Sequence, residues 1–242
     1  MSWDPFSPDI EPLLRHARVA RCEMLPEGSN YTFLLALEDK ERGEGRAVYK
    51  PRDGEAPLMD FPPGTLYQRE CAAYVLSKAL GWPSIPPTVV RDGPYGVGSV
   101  QLYIDADPES HYFVFRKRRQ PELRRIALFD ALANNADRKG GHCLEGRDGR
   151  VWCIDHGLTF HAVYKLRTVV WDFCDEPVPP EMLADLRALR PRLAPPDSLA
   201  GALAELLAPE ELRALQRRLD LLLEKGVYPS PGPERHYPWP LV

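Results

Sequence analysis

The apolar residues of this chain change their period part-way along, and few folds accommodate such a change. Up to about residue 105 they come in short, strand-like runs. Arg18–Met24 and Thr32–Glu38 are joined by Leu25-Pro-Glu-Gly-Ser-Asn30, a hairpin signal. Ala47–Lys50 follows the flexible-looking Glu41–Gly45, and Thr88–Arg91 and Ser99–Ile104 flank a Gly-rich turn. One helix interrupts them, over Leu66–Leu80, with Gly81 as its stop. Beyond residue 105 the spacing is mainly helical. Helices are expected over Pro121–Ala133, Pro180–Leu189, Leu199–Leu207 and Pro209–Lys225, the last with Pro at its first turn and Gly226 past its end. Two short strands, His142–Leu144 and Val151–Ile154, fall between the first two of these. The pattern predicts a two-lobed α+β layout, with a β-rich N-lobe at 1–104 and a helical C-lobe at 105–242.

Composition narrows the function classes. The 242 residues carry 31 Lys and Arg against 35 Asp and Glu, a net charge of −4, which argues against a nucleic-acid partner. No apolar run reaches the ~18 residues that a membrane span needs. The acidic, Pro-containing start is unlike a signal peptide. The five scattered cysteines fit reduced thiols better than a disulfide framework, so a cytoplasmic protein is expected. The 26 prolines sit at junctions and form no low-complexity tract. Arginine far outnumbers lysine, as in chains from GC-rich bacterial genomes.

Four features carry chemistry. In Pro26-Glu-Gly-Ser-Asn30, backbone N–H groups around Gly28 could cradle phosphate oxygens; an ordinary turn is the competing reading. In Ala47-Val-Tyr-Lys-Pro51, strand alternation puts Val48 and Lys50 on one face. A lysine turned inward there needs an anionic partner, and Glu70 on the next helix is the candidate. In Ala133-Asn-Asn-Ala-Asp-Arg-Lys-Gly-Gly-His142, Asp137 could take a proton from an attacking hydroxyl, and Arg138 and Lys139 could neutralise phosphate. In Val151-Trp-Cys-Ile-Asp-His-Gly157, a carboxylate at a strand end suits a divalent cation. The order of Gly-turn, strand Lys, helix Glu, loop Asp and strand-end Asp is that of kinase-type phosphotransferases.

The segments AVYKP, QRECAAYVLSKALG, NNADRKGGH and VWCIDHGLTF resemble the phosphatidylinositol 3-/4-kinase superfamily, especially type II phosphatidylinositol 4-kinases and small bacterial relatives, over about residues 18–175. The resemblance implies a two-lobed protein-kinase-like fold, ATP, and Mg²⁺ or Mn²⁺. It gives Lys50 the α/β-phosphates and Glu70 as partner. Gly28, Ser29 and Asn30 would cover the phosphates. Gln101, Leu102 and Tyr103 would form the hinge beside adenine, with Val48 and Leu144 as walls. Asp137 and Arg138 would belong to the catalytic loop, and Asp155 would hold the metal. Where the family has a second metal-binding Asn, this chain has His142, so a nucleotide-binding sensor is the alternative to an enzyme. The acceptor hydroxyl is left open among lipid, protein and small molecule.

Four further patterns call for a choice of reading. His142, Cys143, Cys153 and His156 have the donor types of a zinc site but the wrong spacing. Arg116–Arg119, with Arg124 and Arg125, is either a solvated helix entrance or a docking face for an anionic membrane or acidic partner. Trp171 and Phe173 are either acceptor contacts or core, and the stripe Leu212, Leu215, Leu219, Leu222 is expected to pack the last helix.

Overall fold

The computed structural model describes residues 3–26, 30–82, 84–233 and 235–242. Five antiparallel strands, β1 (Arg18–Leu25), β2 (Thr32–Asp39), β3 (Gly43–Pro51), β4 (Thr88–Gly93) and β5 (Gly96–Leu102), form a sheet in the order β1-β2-β3-β5-β4. Alternation gives it two unlike faces. Phe33, Leu35 and Leu37 of β2, Ala47 and Tyr49 of β3, and Val100 and Leu102 of β5 point into one buried layer. A short helix, α1 (Ile10–His16), closes that layer with Ile10, Leu13 and Leu14, and Trp3 packs beside it. Val48 and Lys50 therefore project from the opposite face.

The helix α2 (Leu66–Leu80) lies between strands in sequence and packs against β4 and β5 as well as against the helical half. Its Ala72, Ala73, Leu76 and Leu80 join one apolar core with α4 (Gln120–Ala133), α5 (Pro180–Arg192), α6 (Ser198–Ala204) and α7 (Pro209–Lys225). A buried ion pair reinforces the union: Arg69 of α2 donates to Glu211 of α7 at 2.5 Å and to the Thr159 carbonyl at 2.8 Å. The short α3 (Tyr112–Phe115) and the hairpin of β6 (Cys143–Glu145) and β7 (Val151–Cys153) complete the larger half.

The expected elements form with shifted ends. β3 begins at Gly43 because 39–43 is a tight turn: Asp39 Oδ1 accepts the N–H groups of Glu41 and Arg42, so Glu41–Gly45 is no loose link. Leu215, Leu219 and Leu222 are buried and Leu212 packs against the same core, so the leucine stripe is core packing. Phe173 is core too, tilted against Tyr228 and covered by the Arg124 guanidinium; Trp171 is tied to the His236 carbonyl. Three features were not expected: α1, α3, and an extended C-terminal segment whose His236 carbonyl accepts from Thr168 and whose Leu241 carbonyl accepts from Gly140 at 2.7 Å.

Gly98 of β5 faces the strand that carries Lys50. A Cβ there would stand 2.3 Å from the Lys50 carbonyl oxygen and 2.7 Å from Pro51 Cα, both backbone atoms with little room to give. Gly98→Ala is expected to destabilise the protein by about 1–3 kcal/mol, measured by denaturant unfolding.

Candidate functional site

β3 delivers Lys50 to the seam between the two cores. Its ammonium donates to Glu70 Oε1 at 2.5 Å and to Asp155 Oδ1 at 2.9 Å. Glu70 comes from α2, and Asp155 lies two residues beyond β7. The second Glu70 oxygen accepts the His156 backbone N–H at 2.8 Å. Burial works against the charge on Lys50, but the Asp155 and Glu70 carboxylates outweigh it and hold the pKa above the usual lysine value. Burial also opposes the Asp155 charge, and Lys50 overrides it, so that carboxyl stays ionised well below the usual range. For Glu70 burial dominates and pushes the pKa up despite Lys50. Asp155 adopts φ +59°, a left-handed conformation that Asp tolerates better than most side chains.

The loop after α4 is built from side-chain hydrogen bonds. Asn134, at φ +55°, ends the helix. Its amide nitrogen donates to the carbonyls of His161 and Val163, and its oxygen accepts from Lys165 N–H. Asn135 donates to Asp130 and accepts the Asp137 N–H at 3.0 Å. Asp137 faces the cleft beside Lys139, 3.1 Å away, and burial raises its pKa despite that lysine.

Arg138, expected among the phosphate-neutralising groups, turns away from the cleft and has no exposed surface. All five of its N–H groups are engaged. They reach both oxygens of the buried Asp130, the carbonyls of His142 and Ile154, and His156 Nε2 at 2.6 Å. The sequence identified the residue type but could not show its direction.

A cleft of about 200 Å³ is lined by Asn30, Lys50, Glu70, Asp137, Lys139 and Asp155, among others. Gly28 and Ser29 lie outside the described residues. Asn30 accepts the Ala56 N–H at 2.7 Å, which ties the turn to the 55–58 wall. The expected hinge does not line this cleft. Leu102 faces the sheet core, Gln101 donates to Thr88, and Tyr103 lies under the Arg46 guanidinium. The Leu102 and Tyr103 N–H groups are already given to the carbonyls of Pro87 and Arg46. Val48 opposes Gln101 across the sheet, and Leu144 opposes Trp152 in the small hairpin.

His142 sits beside Asp155, with Nε2 3.4 Å from Oδ2, and its Nδ1 faces the Lys139 N–H. Burial pushes its pKa down to about 4; Asp155 opposes the shift, and the cations Arg138, Lys139 and Lys50 add to it. The ring is neutral near pH 7, with its proton on Nε2. The zinc grouping does not converge. Cys143 and Cys153 are strand partners with sulfurs 4.0 Å apart, while the two imidazoles engage Asp155 and Arg138. The basic run is braced internally: Arg118 and Arg119 both bind Glu145, and Arg124 binds Glu176.

No established protein-family profile matches the chain. Protein Rv2133c of Mycobacterium tuberculosis is 41% identical over 247 aligned residues, covering 88% of each chain. The chain belongs to the Rv2133c family. It is also 28% identical to phosphatidylinositol 4-kinase gamma 4 of Oryza sativa subsp. japonica over 69% of its own length, spanning 36% of that longer protein. Among solved structures it resembles hydra Fam20 with sugar, with a TM-score of 0.62 and 16% identity over 89% of this chain and 86% of that one. The Golgi casein kinase with Mn/ADP bound gives a TM-score of 0.57 and 18% identity over 90% and 74%. The fold is thus two-lobed and kinase-like.

Two predictions follow from this geometry. Removing one partner of a buried ion pair strands the other charge, so Asp130→Ala is expected to cost about 3–5 kcal/mol in urea unfolding, far more than a surface Asp→Ala. The second concerns acid. The folded His142 pKa lies near 4 and the unfolded one near 6.5. Below pH 6.5 the unfolded chain binds the proton first, so stability falls as pH drops from about 6.5 to about 4. His142→Asn removes that contribution, and the difference in stability between variant and wild type should change across that window and stay constant above it.

Proposed function

We propose that the chain is an ATP-dependent phosphotransferase of the phosphatidylinositol 3-/4-kinase-like type, moving the γ-phosphate to a hydroxyl acceptor. The observation that carries this is the meeting of Lys50, Glu70 and Asp155 in one cleft with Asp137 on its rim. The likeness to plant phosphatidylinositol 4-kinases and to the kinase-like fold supports it. In this reading the nucleotide lies between the N-lobe at 1–104 and the C-lobe at 105–242. Lys50, held extended by Glu70, neutralises the α/β-phosphates, and Asn30 lies at the phosphate cover. Asp137, with its raised pKa, takes the acceptor's proton. Arg138 places that loop without touching phosphate.

The donor chemistry fits a divalent ion. Asp155 and His142 offer one carboxylate and one imidazole, and Mg²⁺ commonly uses one or two carboxylates with phosphates and water filling the rest. Among the described residues no group of three or more His, Cys, Asp or Glu gathers to hold a metal, so nucleotide and water would complete the set. Once bound, the ion would supply charge neutralisation on the phosphates. For His142 to serve through Nε2, its proton must move to Nδ1, which faces the Lys139 N–H.

That cost favours one second reading, a nucleotide-binding sensor that transfers phosphate weakly or not at all. The sequence-based acceptor classes stay as proposed: lipid, protein or small molecule. Among the described residues no helix is long and apolar enough to cross a membrane.

Calorimetric titration with ATP and Mg²⁺ or Mn²⁺, with labelled-ATP transfer to lipid vesicles, peptides and small alcohols, tests the proposal. Lys50→Ala should weaken ATP binding. Asp137→Ala should lower turnover by about 10²–10⁴-fold yet spare ATP binding. Asp155→Ala should abolish the metal dependence of binding. Wild type and Asp137→Ala showing equally negligible transfer, with ATP still bound, would establish the sensor instead.

A further inference from the structure

His156 has no exposed surface, and its carbonyl accepts from the Thr159 hydroxyl at 2.7 Å. Its backbone N–H donates to Glu70, and its imidazole meets Arg138. A guanidinium is protonated at any ordinary pH and can only donate. His156 Nε2, 2.6 Å from Arg138 Nη2, is therefore the acceptor, and the ring proton is on Nδ1. That Nδ1 has no hydrogen-bond partner among the described residues, and the ring stands edge-on to Phe129, with centroids 6.0 Å apart at 87°. Among the described residues, the only polar contact of the imidazole is thus the fifth N–H of Arg138.

We infer that His156 is a positioning residue for phosphate transfer: its Nε2 completes the Arg138 shell and so fixes Asp137, the neighbour of Arg138, for the acceptor hydroxyl. The inference rests on the phosphotransfer reading. The other four Arg138 N–H groups hold Asp130 of α4 and the carbonyls of His142 and Ile154. The Arg138 main chain bonds to Arg167 and Val169. With Nε2 gone, a buried charged donor loses its acceptor, and the guanidinium settles toward its remaining partners. Asp137 moves with it, and a displacement of about 1 Å at a reacting group can cost about 10²-fold in rate. The His156 backbone contact to Glu70 does not depend on the side chain. Lys50, Glu70 and Asp155 therefore stay in place, and nucleotide binding with them.

Three substitutions separate positioning from packing. In Gln, Oε1 lies two bonds beyond Cγ, as Nε2 does in His, so His156→Gln restores the acceptor. His156→Asn falls one bond short, and His156→Leu fills the space with no acceptor. Steady-state transfer by each folded variant is compared with wild type, alongside calorimetric ATP affinity. The expected result is kcat lowered about 10–100-fold in Leu and Asn, near wild type in Gln, with KM and Kd for ATP unchanged in all three. Equal kcat in Leu and Gln, or ATP affinity falling in step with kcat, would overturn the inference while leaving the phosphotransfer reading intact. Wild type that binds ATP but transfers to no acceptor would overturn that reading and this inference together. Should His156→Leu fail to fold by circular dichroism, the Gln and Asn pair makes the same comparison.

Discussion

The site depends on one pair of full charges held out of water. Arg138 and Asp130 have no exposed surface, and their bond joins the end of α4 to the loop that carries Asp137. Such a pair contributes little net stability, because desolvation consumes most of the attraction. What it provides is geometry. A guanidinium is a rigid planar fork, and once its five hydrogens are assigned its position is determined. Two of those hydrogens fall on the carbonyls of His142 and Ile154, so the flanks of the small hairpin are located by the same group. Asp155 follows directly from Ile154.

Glu70 links the two halves differently. The residue beside it, Arg69, is anchored to α7 through Glu211, and the apolar side of α2 lies in the helical core. The same helix also packs on β4 and β5, and its Tyr74 and Lys78 donate to Glu11 of α1, so it bridges the two halves.

Much of this was legible from residue order. Alternation in Ala47–Pro51 put Lys50 opposite the buried face, because a strand leaves no other choice. Glu70 was identifiable because an inward lysine needs a carboxylate, and Asp155 because a carboxylate at a strand end suits a divalent cation; that Asp155 also binds Lys50 was not read from the sequence. Pro209 and Gly226 marked the last helix correctly. What stayed hidden was direction and company. Arg138 and Lys139 are adjacent cations in one loop, yet one is buried against Asp130 and the other faces the cleft; nothing local separates them. The bonding of the expected hinge was hidden for a similar reason, since the carbonyls that take the Leu102 and Tyr103 N–H groups come from distant residues. α1 could have been read from Ile10, Leu13 and Leu14 at helical spacing behind Asp9, whereas the Leu241–Gly140 contact had no local signal.

The division of apolar side chains into a sheet core with α1 and a larger helical core has a thermodynamic meaning. Two cores that bury their surface separately need not melt together, and the smaller has less buried area to oppose its chain entropy. On heating, the sheet is the part expected to loosen first. Its loss removes Lys50 but leaves Glu70, Asp137 and Asp155 on the folded remainder, in an acidic cleft stripped of its main cation. Cooperativity between the halves then rests on the packing of α2 against β4 and β5 and on the ionic contacts that cross the seam, and a bound polyphosphate spanning it would strengthen their coupling.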